Sequence, residues 1–374
     1  MKDFMKNSSL YFSRSIFSFG TLLLLSSNAL AFNPIIRPFD SVRAEGMGDV
    51  RYSTGLYEEN FFANPARADT EFQIVKLTAE AGTATIGAIS ELTKSDASIS
   101  DFADQVGKPI SARVQLVVPG IYLKHFITDK WSLAVGLELS AQTAAEIGES
   151  GIIAPTTFMN VGPAVTLARR LLDEDRLSIG ATLHTEYRAS SNSIYSISDF
   201  LSGTDLSNLV KGGSGFGADF DLGTTFRPHW TLGGFEYELA FAMNNLAGGK
   251  YTNFGGKIAG WSGDPIVTPR SYNFGVSATQ KHVPFFDSIK IALESTDIGN
   301  NADGSYFRTL HAGAEALYGI FAFRAGINQG YIAAGAGVDL GFFDVNFATY
   351  GEELGLNTGD MQDRRYALEV GIQI

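Results

Sequence analysis

Arg364-Arg365-Tyr366-Ala367-Leu368-Glu369-Val370-Gly371-Ile372-Gln373-Ile374 is the stretch that decides how the chain is read. Tyr366, Leu368, Val370, Ile372 and Ile374 share one face at a period of two, and Ala367, Glu369, Gly371 and Gln373 share the other. Such alternation is a β-strand with an apolar face and a small-or-polar face. A soluble sandwich turns the apolar face to a shared core. An outer-membrane barrel turns it to lipid and fills its lumen with the small and polar residues. One strand does not separate the two, but repetition of the pattern upstream does.

Thirteen further segments read as strands: Glu71–Glu80, Ala112–Phe126, Trp131–Ala141, Thr156–Ala168, Arg176–Arg188, Gly215–Arg227, Phe235–Asn245, Arg270–Lys281, Ser288–Ile298, Tyr306–Leu317, Ile320–Asn328, Tyr331–Gly341 and Phe343–Tyr350. With the last, they make fourteen, an even number that returns both ends to one side. Connections after the even-numbered strands are tight, down to Tyr318-Gly319 and Phe342. Those after strands one, three, five and seven are long: Ala81–Ser111, Gln142–Pro155, Ala189–Ser214 and Leu246–Pro269. Gln329-Gly330 departs from this trend. Short turns on one side and long loops on the other define the outer-membrane layout, and a sandwich gives no reason for that parity. The expected fold is all-β, a 14-stranded antiparallel transmembrane barrel over residues 71–374.

Acids confirm which face points inward. Phe235, Tyr237, Leu239, Phe241 and Met243 oppose Glu236, Glu238, Ala240, Ala242 and Asn244, and the acids belong in the lumen because lipid penalises them. The same parity sends inward Glu138, Glu186, Asp219, Asp221, Glu236, Glu238, Glu294, Glu315, Asp339, Asp344 and Glu369. Inward basic residues are fewer: Arg227, Lys281, Lys290 and Arg324. These acids either hydrate the lumen, pair with neighbouring strands, or hold something placed inside it.

Residues 1–31 read as a secretory leader: Lys2, Lys6 and Arg14, an apolar core from Ile16 to Leu25, and Ala29-Leu30-Ala31 before Phe32. Removing its three basic residues and one acid takes the net charge from −12 to −14. No later stretch carries the roughly 18 apolar residues of a helical span, so a crossing must use strands. Zero cysteines excludes disulfides, thiolate metal sites and a Cys nucleophile. The acidic balance argues against nucleic acid as a partner.

Residues 32–70 do not alternate. They hold Pro34, Pro38, Arg37, Arg43, Arg51, Arg67, several aromatics and Asn64-Pro65-Ala66, and need something to pack against. Ser41-Val42-Arg43-Ala44-Glu45-Gly46-Met47-Gly48, followed by Ala63-Asn64-Pro65-Ala66, resembles the N-terminal hatch of the FadL/PorV-like outer-membrane barrels. Arg324-Ala325-Gly326-Ile327-Asn328-Gln329-Gly330-Tyr331 resembles a hairpin of the PorV-like branch. Departures are Ile374, where a terminal aromatic is usual, and Val50-Arg51-Tyr52-Ser53, where the family carries an acidic, Ala-rich run. The resemblance implies a hatch in the lumen with Arg43, Gly46, Gly48, Asn64, Pro65 and Ala66 as its motif. It also implies a sideways opening where a kinked strand interrupts the wall. Pro119-Gly120 and Gly162-Pro163 are the two interruptions, since proline removes a ladder donor, and each reads either as such an opening or as a bulge at a barrel rim.

Other chemistry is thin. His125, His184, His229, His282 and His311 lack zinc spacing, and no Gly-x-Ser-x-Gly elbow occurs. Short helices are expected at Ile99–Val106, Ser198–Leu201 and Asp205–Val210, and Gly212–Gly217 reads as a hinge entering a strand rather than a phosphate loop. No cofactor, metal or catalytic set is expected. The resemblance implies passive uptake of hydrophobic small molecules across the outer membrane, or docking of a secreted or envelope protein. Outer-membrane lipid is the remaining partner.

Overall fold

The computed structural model describes residues 37, 39–56, 59–68, 75–92, 107–124, 127–146, 152–153, 155–192, 194–196, 212–252, 263–299, 301 and 304–372. The expected leader, the three expected loop helices and the strand ends at residues 71–74 and 373–374 lie outside them.

Fourteen long strands form one antiparallel sheet. They are β1 (Val75–Gly82), β2 (Pro109–Lys124), β3 (Trp131–Glu146), β4 (Thr156–Leu171), β5 (Leu177–Ser191), β6 (Gly212–Phe226) and β7 (Phe235–Asn244). Then follow β8 (Ser271–Val283), β9 (Phe286–Ser295), β10 (Leu310–Tyr318), β11 (Phe321–Asn328), β12 (Tyr331–Asp339), β13 (Phe343–Glu353) and β14 (Gln362–Ile372). Each pairs with the next in sequence, and β14 returns to β1 with Ile372 opposite Val75 and Leu368 opposite Ala79. The sheet closes, which satisfies the backbone without exposed edges. No described helix is long and apolar enough to cross a membrane.

Burial follows the period of two. On β14, Asp363, Arg365, Ala367, Glu369 and Gly371 are buried, while Tyr366, Leu368 and Ile372 are exposed. Leu77, Val114, Leu183, Leu293, Ile332 and Leu368 stand on the outside, each about half-exposed or more. Soluble monomers do not expose an apolar belt around a whole girth, so this belt is the lipid face of an outer-membrane barrel.

Two local results differ from expectation, and a third, in β2, falls where an interruption was expected. An α-helix follows β1 at Thr83–Leu92, tied down where Thr85 Oγ1 accepts from Ser111 N at 2.9 Å and donates to Ser111 O at 2.7 Å. Gly87 lowers its helix propensity, and the anchor on β2 is not local in sequence. Gly212 to Gly217 is already strand, paired with β5 from Ser191↔Gly212 to Glu186↔Gly217. The register of β2 on β3 slips between Val118 and Ile121, across Pro119-Gly120.

Leu368→Arg places a charge on the lipid face in the middle of β14 and should lower unfolding free energy in lipid vesicles by about 2–4 kcal/mol. Leu368→Phe should change it little; denaturant titration of the reconstituted protein checks both.

Candidate functional site

Helix α1 (Val42–Gly46), helix α2 (Glu59–Phe62) and a 3-10 turn (Pro65–Arg67) belong to the N-terminal segment, which is buried almost throughout against inward-facing strand residues. Ser41 caps α1, its Oγ accepting from Ala44 N at 3.4 Å. Asn64 caps the 3-10 turn through Oδ1 and Ala66 N at 3.1 Å, with Pro65 at its first position.

Bare backbone on the wall seats both motifs. Gly313 of β10 and Gly326 of β11 lie opposite each other, and a Cβ on either would fall within 2.4 Å of Met47 backbone. Gly48 has φ +73° and would itself strike Ile327 and Ala312 with any side chain. Only glycine satisfies that position. Across the bore, Gly180 of β5 opposes Gly223 of β6, and Cβ atoms there would meet Pro65 C at 2.4 Å and Asn64 Oδ1 at 2.1 Å. Asn64 Nδ2 donates to Tyr52 O at 3.0 Å and to Thr224 O of β6 at 3.3 Å.

Charge completes the docking. Glu294 of β9 accepts from the backbone N–H groups of Arg51 (2.8 Å), Tyr52 (3.0 Å) and Ser53 (2.7 Å), and from Ser53 Oγ at 2.7 Å. Arg43 donates twice to Glu315, at 3.0 and 2.8 Å, beside Arg324 at 2.7 Å. Arg67 pairs with Glu238, which also holds Arg227. Arg37 reaches Glu352 at 3.4 Å and Asp49 at 3.1 Å. Arg51 stays within the segment, on Asp40 and Asp49. Burial alone would raise the Asp40 carboxyl, but Arg113, Arg51 and Arg37 together hold it well below the usual carboxylate range. Glu45 moves the other way: burial, then the neighbouring charge of Glu80, push it well up.

The remaining expected acids divide. Glu369 holds Lys76 at 2.8 Å, and Asp219 accepts from Ala247 N and Gly249 N at 2.7 Å, fixing the connection after β7. Asp221 lies 3.2 Å from His184 Nε2, and Glu138 is buried. Glu236 and Asp339 require correction. Both have inward parity but lie exposed at the short-turn rim, Glu236 beside Lys281 at 3.2 Å and Asp339 accepting from Gly341 N at 2.7 Å. Near a strand end, parity no longer implies burial. Residues not singled out from sequence include Glu80, Arg113, Glu352 and Arg365, a buried cluster linked through Arg113–Glu80 at 3.0 Å and Arg365–Glu80 at 3.2 Å. Inward parity on β14 was the available signal for Arg365.

The two interruptions line up. Pro119-Gly120 lies opposite Gly136 of β3, and the adjoining Leu137 and Glu138 pair with Pro163 and Gly162 of β4. On the far side, the β4–β5 ladder runs from Val161↔Tyr187 to Ala164↔His184 and omits Gly162-Pro163. Behind this row sits the N-terminal segment: Phe61 lies 3.1 Å from where Gly136 would carry a Cβ. The wall is closed here, since Gly162 packs so tightly that a Cβ would fall 1.8 Å from Thr185 O.

No family model and no curated protein matches this chain. Among solved structures it is similar to the Ralstonia pickettii toluene transporter TbuX, with TM-score 0.48 and 10% identity over 93% of this chain and 99% of that one. It is also similar to the P. putida toluene transporter TodX (0.43, 11%, 88% and 95%) and to the translocator domain of the autotransporter NalP from Neisseria meningitidis (0.39, 13%, 82% and 91%). The strand count, closure and apolar belt make this chain a fourteen-stranded outer-membrane β-barrel.

Glu294→Ala removes four accepted hydrogen bonds and should free the N-terminal segment. Limited proteolysis of the folded variant should then remove residues 32–70 many times faster than in the wild type, while the barrel stays heat-modifiable on gels. Glu294→Gln keeps one acceptor oxygen and should fall between.

Proposed function

We propose that this barrel passes hydrophobic small molecules across the outer membrane without an energy source, with residues 32–70 as its hatch. The observation that carries the reading is the row from Pro119-Gly120 through Gly136 to Gly162-Pro163, backed by Phe61 and Phe62. Ladder bonds hold a barrel wall shut, and they are interrupted at one height on either side of β3, by the register slip across Pro119-Gly120 in β2 and by Gly162-Pro163 in β4. A weakened wall with aromatic side chains behind it suits a sideways exit from lumen to bilayer. Toluene is the cargo named for two of the similar structures, and a small aromatic or aliphatic hydrocarbon is the cargo class proposed here. No catalytic residue is assigned.

A second reading, docking of an envelope protein, draws on the short-turn rim. Phe285, at 88% exposure, and Phe342, at 69%, cap turns where polar residues are usual. A stoichiometric partner that copurifies and is lost in Phe285→Ser/Phe342→Ser would favour it.

Vesicles containing the protein should take up a hydrophobic fluorescent dye faster than empty vesicles, and Phe61→Ala/Phe62→Ala should speed uptake several-fold. Equal uptake with and without the protein would end the transport reading.

A further inference from the structure

Behind the β4 interruption lies a cavity of about 40 Å³, lined by Glu138, His184, Glu186, Asp221, Asn244 and Phe62 among others. Gly162, the partner of Glu138 across the β3–β4 ladder, is part of its lining. A single water needs about 10–15 Å³ on this measure, so the space suits a few waters or one compact polar group.

Acidic side chains outnumber basic ones around it: Glu138, Glu186 and Asp221 stand with His184 and the adjoining Arg188. Glu186 accepts from Arg188 at 3.0 Å and from the Tyr251 hydroxyl. Asp221 accepts from Asn245 N at 2.7 Å and faces His184. Glu138 is 5% exposed, and its Oε1 has no hydrogen-bond partner among the described residues. A buried carboxylate oxygen aimed into a cavity calls for a donor there, preferably a cationic one. No group of described acids and histidines is arranged to hold a metal ion. A larger cation with several directed donors fits better: an ammonium group offers three N–H bonds to carboxylates that stand apart. Phe62 adds an aromatic wall, a surface that attracts such cations. A carboxylate in the same place would face three acidic side chains.

We propose that this cavity recognises a primary ammonium group, so that amphiphilic amines are preferred over carboxylates among the molecules the barrel passes. The binding site stands by itself; the preference in passage rests on the transport reading above.

Calorimetric titration of the full chain in dodecylmaltoside tests it, with hexylammonium chloride, ammonium chloride, sodium chloride and sodium hexanoate at matched ionic strength. Saturable binding of hexylammonium, and none of hexanoate, is expected. Binding of ammonium chloride as tightly as hexylammonium keeps the site but assigns it to the free ion, not an amphiphile. Glu138→Gln should weaken ammonium binding at least about tenfold, as loss of a charged hydrogen bond does, while Glu236→Gln at the rim should not. Equal binding of hexanoate, displacement by sodium, or undiminished binding in folded Glu138→Gln overturns the proposal. The wild-type comparison of hexylammonium with hexanoate decides the matter even if the variant fails to fold. Dye uptake without ammonium binding removes this site and leaves the transport reading; ammonium binding without uptake does the reverse.

Discussion

An N-terminal segment dense in polar groups packs against the inward faces of this barrel, and each group buried there has to find a partner on the wall or within the segment itself. Unpaired buried charge costs several kcal/mol, so the wall and the segment are constrained together. Glu294 shows how tightly. One carboxylate gathers three successive backbone N–H groups and a hydroxyl, and thereby sets the path of residues 51–53. Glu315 does the same for α1 through Arg43, and Glu238 for the 3-10 turn through Arg67.

Shape supports charge at the same points. Opposed glycines, Gly313 with Gly326 and Gly180 with Gly223, strip the wall to backbone where Met47 and Asn64-Pro65 rest. A glycine weakens a strand locally. Here the loss is offset by contact with the segment, which touches the cylinder at two places five strands apart. The interruptions in β2 and β4 have no such compensation on the ladder, and that separates them from the seats.

Much of this was legible beforehand. Tyr366 to Ile372 show their faces by parity alone, and the same parity on Phe235–Asn244 sent Glu238 inward. Parity failed at Glu236 and Asp339, because a rim position with the right direction still meets water. The helix at Thr83–Leu92 was missed because Thr85 finds its partner, Ser111, on the next strand.

What the sequence determined by itself is therefore the barrel: strand number, loop parity and side-chain direction all follow from alternation along neighbouring residues, a local property of extended backbone. Which acid holds which arginine was decided only by the tertiary structure. Arg43 and Glu315 are 272 residues apart, and Gly136 meets Phe61 only once the cylinder has closed around the segment. Closure brings every inward face to a common axis, and contacts across that axis depend on strand register and on how deeply the segment sits, neither of which any single stretch of chain encodes.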